Sequence, residues 1–111
     1  MKNLKSLLFV SFLFIAFSVQ AQKKLEKKAE KITSEITKVL NLTDEESKII
    51  YQIQLERFLQ AKKIRSQYTN NEALRKEELK KHGNQVYNKM KNALGKERLK
   101  KWSKYKSTKN K

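Results

Sequence analysis

The sequence predicts an all-α protein, folded as an extended antiparallel helical hairpin of three to four helices. The 111 residues include no proline and only two glycines, Gly83 and Gly95, so few residues interrupt a helix. Lysine, glutamate, leucine, glutamine and arginine, which favour helix, are abundant in the chain. Apolar residues also recur every three or four positions along most of it, which is typical of amphipathic helices.

Residues 1–21 have the pattern of a secretory signal peptide. Lys2 and Lys5 precede an apolar run over residues 7–19, and Val19-Gln20-Ala21 follows as a small-residue cleavage site. The run is shorter than the roughly 20 residues that a membrane-spanning helix needs, although an uncleaved anchor is the alternative. We therefore predict that Gln22 is the mature N-terminus and that the protein is exported across the inner membrane into the periplasm.

The remaining chain divides into a helical domain over residues 22–105 and a basic tail over residues 106–111, predicted to be disordered. This domain is small and poor in apolar residues, and the absence of cysteine excludes disulfides. Because small domains commonly need a further source of stability, we expect a homodimer. In the first helix, residues 23–40, one apolar stripe is predicted, formed by Leu25, Ala29, Ile32, Ile36 and Val39.

The sequence NLTDEE at residues 41–46 predicts the start of the second helix. Thr43 is a favourable N-cap, and Glu46 three residues later completes a capping box. Asp44 and Glu45 suit the positive end of the helix dipole. This acidic cluster is therefore interpreted as a helix start, without a catalytic role.

The second helix, residues 44–68, has more apolar residues than one face requires. The group predicted to face the core is Ile49, Ile50, Ile53, Ala61, Ile64 and Tyr68. A second group lies roughly opposite and contains Tyr51, Leu55, Phe58 and Leu59. Two interpretations are open: these side chains pack on another helix or a dimer partner, or they form an exposed surface that binds other proteins.

Two further helices are expected after the polar break at residues 69–71. The stripe of the third consists of Leu79, Val86, Tyr87, Met90, Ala93 and Leu94, with Leu74 outside it. Gly83 lies on the same face, where a close approach between helices is expected. A short last helix after Gly95 has Leu99, Trp102 and Tyr105 on one face.

Two short elements resemble each other and a known motif. NLTDEESKI at residues 41–49 is echoed by ALGKERLKKW at residues 93–102. Both resemble the L-T-x-x-Q element that occurs twice in the Spy/CpxP family of small periplasmic helical proteins, and the second is similar to the form found in relatives from Bacteroidota. The final glutamine is replaced by Glu46 in one copy and Arg98 in the other, and Gly95 and Lys96 replace the second copy's threonine and proline.

This resemblance implies an ATP-independent periplasmic chaperone that forms a dimeric cradle, or a stress-response regulator without chaperone activity. We predict no cofactor. The partners of such a chaperone would be unfolded or partly folded proteins. Positive charge would speed their capture, and apolar groups would then give affinity at short range. The residues predicted to bind such clients are Tyr51, Leu55, Phe58, Leu59, Lys62, Lys63 and Arg65.

An alternative is attachment to an anionic membrane surface or to lipopolysaccharide. The C-terminal segment combines lysines with aromatic rings, as interfacial segments do. The residues predicted for this contact are Lys100, Lys101, Trp102, Lys104, Tyr105 and Lys106. The net charge of +16 also suits nucleic acid, but export and the absence of a recognised binding motif argue against a specific nucleic-acid partner.

The sequence gives little support to catalysis or metal binding. His82 is the only histidine, and Glu78 precedes it by one helical turn, so one chain offers two ligands to zinc and a dimer would have to supply the others. We predict no metal site. Without a cysteine nucleophile, a Gly-rich phosphate loop or a second histidine, we also predict that the protein is not an enzyme.

Overall fold

A computed structural model describes the backbone of residues 2–110 and the side chains of residues 20–110. This part of the chain contains four α-helices and no β-strand: α1 (Lys2–Leu40), α2 (Asp44–Gln67), α3 (Glu72–Leu94) and α4 (Lys96–Lys109). The all-α prediction is therefore confirmed. The side chains of the apolar run at residues 7–19 lie outside the described residues, and cleavage after Ala21 stays a prediction.

The helices pack as two successive hairpins closed by α4. Helix α1 packs on α2 and α2 on α3, while α4 contacts both α1 and α3. The turn from α1 to α2 begins at Asn41, whose φ of 54° is left-handed, and the N–H of Leu42 donates to the carbonyl of Thr37. This geometry ends a helix and lets Leu42 return to the core.

The predicted capping box starts α2. The backbone N–H of Glu46 donates to Thr43 Oγ1 at 3.2 Å, and the backbone N–H of Thr43 donates to Glu46 Oε1 at 3.1 Å. Two N–H groups at the helix start are thereby satisfied. The prediction for Thr43 and Glu46 is confirmed.

One hydrophobic core joins all four helices. Its buried members are Ile36, Leu40, Leu42, Ile50, Ile53, Met90, Leu94, Leu99 and Trp102. The predicted α4 face and the second half of the predicted α1 stripe pack here, with Ile32, Val39 and Tyr105 partly buried at the margin, whereas Leu25 and Ala29 lie outside this cluster. Burial of this apolar surface is the main force that holds the short fourth helix in place.

The predicted inner face of α2 needs a correction. Ile50, Ile53 and Ile64 are buried, but Ile49 is 52% exposed, whereas Gln54 is only 2% exposed. Gln54 is buried because both ends of its amide are bonded: Nε2 donates to Met90 Sδ, and Oε1 accepts from Arg57. The buried face is thus turned away from Ile49 and includes a polar residue.

Two expectations about the later helices are wrong. The tail predicted to be disordered from Lys106 is helical as far as Lys109, because Lys109 forms an ion pair with Glu35 and Tyr105 donates to the same carboxylate. Gly83 makes no close helix contact, since no atom lies within 4 Å of where its Cβ would be.

Candidate functional site

An open groove of about 610 Å³ lies between α1 and α2. Its walls come from the segment of α1 near residues 20–28 and from the second half of α2. The lining residues are Gln20, Ala21, Lys24, Leu25, Lys28, Arg57, Phe58, Ala61, Lys62 and Arg65. Cationic and apolar side chains are therefore interleaved along one surface.

Helical spacing places these side chains on facing surfaces. Lys24 and Lys28 are one turn apart on α1. On α2, Ala61 and Lys62 follow Phe58 by three and four residues, and Arg65 follows Lys62 by three. Residues at such separations lie on one face of a helix. Because residues 41–43 join α1 and α2 as an antiparallel pair, residues 20–28 of α1 face the second half of α2.

Two cations lie near the ring of Phe58 in the groove. The Nζ atom of Lys28 is 4.6 Å from the centre of the Phe58 ring, and the guanidinium carbon of Arg57 is 5.1 Å from it. Both distances allow a cation–π interaction. Cations from two different helices therefore contact the same ring.

Arg57 has an unusual environment for a cation. Its Nη1 donates to Gln54 Oε1 at 2.9 Å, and partial burial lowers the pKa of its guanidinium. The backbone carbonyl of Arg57 accepts from His82 on α3 at 3.2 Å. The Arg57 side chain is therefore held by the amide of Gln54, and it forms no ion pair with a carboxylate in the described part of the chain.

The groove as a whole carries unbalanced positive charge. Among the described residues, the ion pairs lie elsewhere, as in the Glu56–Lys89 pair between α2 and α3 at 3.1 Å. The five cations of the groove take part in none of them: Lys24, Lys28, Arg57, Lys62 and Arg65. This arrangement favours an anionic ligand that also has apolar surface.

Only three of the seven residues predicted to bind clients line the groove. Phe58, Lys62 and Arg65 line the groove. Leu59 and Lys63 are exposed outside it, and Tyr51 and Leu55 are half-buried. Burial raises the pKa of Tyr51, with Glu26 and Glu30 of α1 adding to the effect, so this phenol lies close to α1.

Sequence reasoning missed the α1 wall of the groove and Arg57. Lys24 and Lys28 belong to a strongly basic segment, and nothing in their spacing separates them from Lys23 and Lys27. For Arg57 a signal was available: at 100° per residue it falls within the arc of the inner face of α2. A charged residue at such a position suggests a functional role.

The residues predicted to contact anionic surfaces differ in their exposure. Trp102 is 4% exposed, so its ring is not presented to a membrane, and the half-buried Tyr105 stacks on it with ring centres 5.5 Å apart. Lys100, Lys101 and Lys104 are exposed. Lys106 lies 5.7 Å from the Trp102 ring, and burial, with a contribution from Arg57, lowers its pKa.

The described part of the chain contains neither a cluster of metal ligands nor a helix that could span a membrane. There, no three His, Asp or Glu side chains are close enough to hold a metal ion. No helix within those residues is sufficiently long and apolar to cross a bilayer.

The comparisons with known proteins found no relative. The sequence matches no protein-family model, no curated protein and no solved structure.

Proposed function

We propose that the protein is an exported, ATP-independent, chaperone-like binding protein for unfolded or envelope proteins. The observation that carries this proposal is the groove between α1 and α2, where five unpaired cations are interleaved with Leu25, Phe58 and Ala61. Such a surface offers charge and apolar area together. It has few fixed hydrogen-bonding groups that would select one ligand shape.

The physics of capture suits this surface. Positive potential accelerates encounters with acidic segments, and the attraction weakens as salt increases. Apolar contact with Phe58 and its neighbours then adds affinity that depends little on sequence. A binding protein of this kind can hold and release clients without a nucleotide cycle.

The resemblance to the Spy/CpxP family supports the same proposal. Its two L-T-x-x-Q-like elements stand at the starts of α2 and α4, where Glu46 and Arg98 replace the final glutamines. We include in the proposal a periplasmic location and a homodimer that extends the binding surface. A stress-response regulator without chaperone activity is the alternative that the same resemblance offers.

Suppression of aggregation tests the proposal. A chemically denatured client is diluted into buffer without ATP, with the protein at a near-equimolar ratio, and light scattering is followed. We expect scattering to fall strongly and to recover as salt is added. Undiminished scattering at several protein ratios would contradict chaperone-like activity.

Matched variants on α2 connect the activity to the groove. Phe58→Ser removes an apolar group from the groove, and Ile49→Ser removes one from an exposed position elsewhere on the same helix. We expect Phe58→Ser to weaken the suppression of aggregation, with Ile49→Ser close to the wild type. An equal loss of aggregation suppression in both variants would show that the activity comes from general surface hydrophobicity and not from the groove.

A second candidate function is attachment to anionic envelope surfaces through α4. Lys100, Lys101 and Lys104 are exposed on this helix, and charge alone gives about 1 kcal/mol per lysine near an anionic membrane. Sedimentation with vesicles that contain an anionic phospholipid measures this attachment. Binding that salt reverses, and that Lys100→Gln with Lys104→Gln reduces, would support it.

A further inference from the structure

One side of α2 has a regular stripe of exposed residues. Its members recur at alternating spacings of four and three positions and, at 100° per residue, fall within an arc of about 80°. They are Glu45, Ile49, Gln52, Glu56, Leu59 and Lys63, and all six are exposed. We call this set the outer stripe of α2. None of its members belongs to the predicted signal peptide or lines the groove between α1 and α2.

The spacing of the outer stripe is typical of helices that pair side by side. Alternation of four and three residues is the heptad pattern, which keeps one face of a helix against a partner helix. Ile49 and Leu59 provide the apolar positions, and they are two of the three large apolar side chains that are exposed among the described residues. Because the whole stripe is exposed, no helix in the described part of the chain fills the place of that partner.

The outer stripe is complementary to itself when a second copy of α2 lies antiparallel to it. Positions 45 and 63 are equally far from position 54, as are positions 49 and 59, and positions 52 and 56. A two-fold axis at the level of position 54 therefore sets each member of the stripe opposite a different member on the second copy, and each contact occurs twice. The resulting pairs are Glu45 with Lys63, Ile49 with Leu59, and Gln52 with Glu56.

Each of these pairs is chemically favourable. Opposite charges meet at both ends of the stripe, and apolar side chains meet between the ends and the centre. At the centre, the amide of Gln52 can donate to the carboxylate of Glu56, whose charge is offset by Lys89 of its own chain at 3.1 Å. A parallel pair would instead set each residue against its own copy, so Glu45, Glu56 and Lys63 would each meet a like charge. The charge pattern therefore favours the antiparallel arrangement.

We propose that two copies of the chain associate through the outer stripe of α2, antiparallel and related by a two-fold axis at the level of position 54. This inference rests on the homodimer included in the proposed function, and it assigns the interface of that homodimer. Since the residues of the groove lie outside the stripe, each copy keeps its groove open. The dimer therefore presents two client-binding surfaces that run in opposite directions.

The association is expected to be weak. The stripe extends for about 27 Å of helix from Glu45 to Lys63. It has only two apolar side chains per copy, and the net positive charge of both copies opposes their approach. We therefore expect a dissociation constant of about 10–100 µM. Well below this range the chain is single and Ile49 is exposed, so unfolding and aggregation experiments on Ile49 variants at such dilution report on the single chain.

Disulfide trapping between two single-cysteine variants tests the register. The chain has no cysteine, so Ile49→Cys and Leu59→Cys each introduce one thiol. In the proposed pair, a thiol at position 49 lies opposite a thiol at position 59 of the second copy. Two thiols at the same position would be about 15 Å apart along the axis, which is too far for a disulfide. The variants are purified after expression of the full chain, one is labelled with heavy nitrogen, and they are mixed above the expected dissociation constant and mildly oxidised.

Mass spectrometry then counts the three possible disulfide dimers. We expect the mixed dimer to exceed the other two together by at least about fivefold, because only its thiols lie within bonding distance. As a control, Leu59→Cys is replaced by Tyr87→Cys, which is as exposed as Ile49 but lies on α3, and the three dimers should form in statistical proportion. A statistical proportion for positions 49 and 59 would overturn the interface even if sedimentation shows a dimer. Single chains at every concentration would overturn the interface and the homodimer but not the chaperone-like activity, which the aggregation assay tests separately.

Charge reversal at the ends of the stripe is the second test. Lys63→Glu turns the attraction to Glu45 of the second copy into repulsion at both ends, so the dissociation constant should rise at least about fivefold. Adding Glu45→Lys restores opposite charges and the wild-type net charge, and association should recover to within about twofold. The control, Lys48→Glu, changes the net charge equally but lies off the stripe, so it should not weaken association. Sedimentation equilibrium measures all four proteins after circular dichroism has shown that they are helical, and equal weakening in both single variants, or no recovery in the double variant, would contradict the proposed pairing.

Discussion

Arg98 at the start of α4 forms an ion pair with Glu46 at the start of α2, with 2.5 Å between Nη2 and Oε2. The two residues are 52 positions apart, which is the offset between the two L-T-x-x-Q-like elements. Arg98 Nε also donates to the carbonyl of Leu94 at the end of α3. One side chain therefore links three helix ends.

A double-mutant cycle should detect this coupling. Glu46→Gln removes the charge but keeps an oxygen that can accept from the Thr43 N–H, because glutamine also serves in a capping box. We expect Glu46→Gln and Arg98→Gln each to lower the midpoint of urea unfolding, and the double variant to lose less than the sum of the two. Additive losses would show that the ion pair contributes nothing to stability.

Thr43→Ala is the matched test of the cap itself. It removes the hydroxyl that accepts from the Glu46 N–H and leaves both charges in place. We expect the free energy of unfolding to fall by about 1 kcal/mol, the usual cost of losing an N-cap side chain. Urea unfolding followed by circular dichroism measures it, and a change below about 0.3 kcal/mol would show that α2 finds another cap when the hydroxyl is absent.

Stability should depend on pH through the same carboxylate. The Arg98 side chain, with the Thr43 N–H, lowers the pKa of Glu46 from 4.5 to about 2, and Lys109 lowers the pKa of Glu35. A lowered folded-state pKa stabilises the fold above the unfolded-state pKa, and this stabilisation is lost as pH falls. The unfolding midpoint should therefore decrease between about pH 4.5 and pH 2, and less steeply in Glu46→Gln. Parallel profiles for wild type and variant would contradict the assignment to Glu46.

The helices could be predicted from sequence because their determinants are local. Capping residues such as Thr43 and apolar spacing act within one or two turns. The orientation of α2 could be predicted only in part, since Gln54 becomes buried through partners that lie elsewhere: Met90 on α3 and Arg57 one turn away. Periodicity treats glutamine as polar and therefore places Ile49 in the core instead.

The groove could not be predicted because it depends on register. Lys28 and Phe58 are distant in sequence and meet only because residues 41–43 set how α1 lies along α2. A shift of one residue in either helix would rotate its face by about 100° and bring different lysines to the groove. Composition indicated a basic and apolar surface, but only the structure shows which cations line the groove.

Adjacent isoleucines test the corrected orientation of α2. Ile50 is fully buried and Ile49 is 52% exposed. Ile50→Ala should lower the free energy of unfolding by about 2–5 kcal/mol, as is usual when a buried branched side chain is truncated. Ile49→Ala should change it by less than about 0.5 kcal/mol, as is usual at exposed sites. Similar losses in the two variants would mean that Ile49 is covered in solution, for example by a second copy of the chain.

The single tryptophan reports directly on the packing of α4. Trp102 is buried against Tyr105, so its fluorescence should be blue-shifted and poorly quenched by iodide in the native protein. Trp102→Ala should destabilise the fold by about 3–5 kcal/mol through loss of a large buried side chain. Because the indole is already in the core, attachment of the exposed lysines to anionic vesicles should leave the emission maximum unchanged. A further blue shift and stronger protection from iodide on adding vesicles would show instead that α4 leaves the core and inserts its ring into the membrane surface.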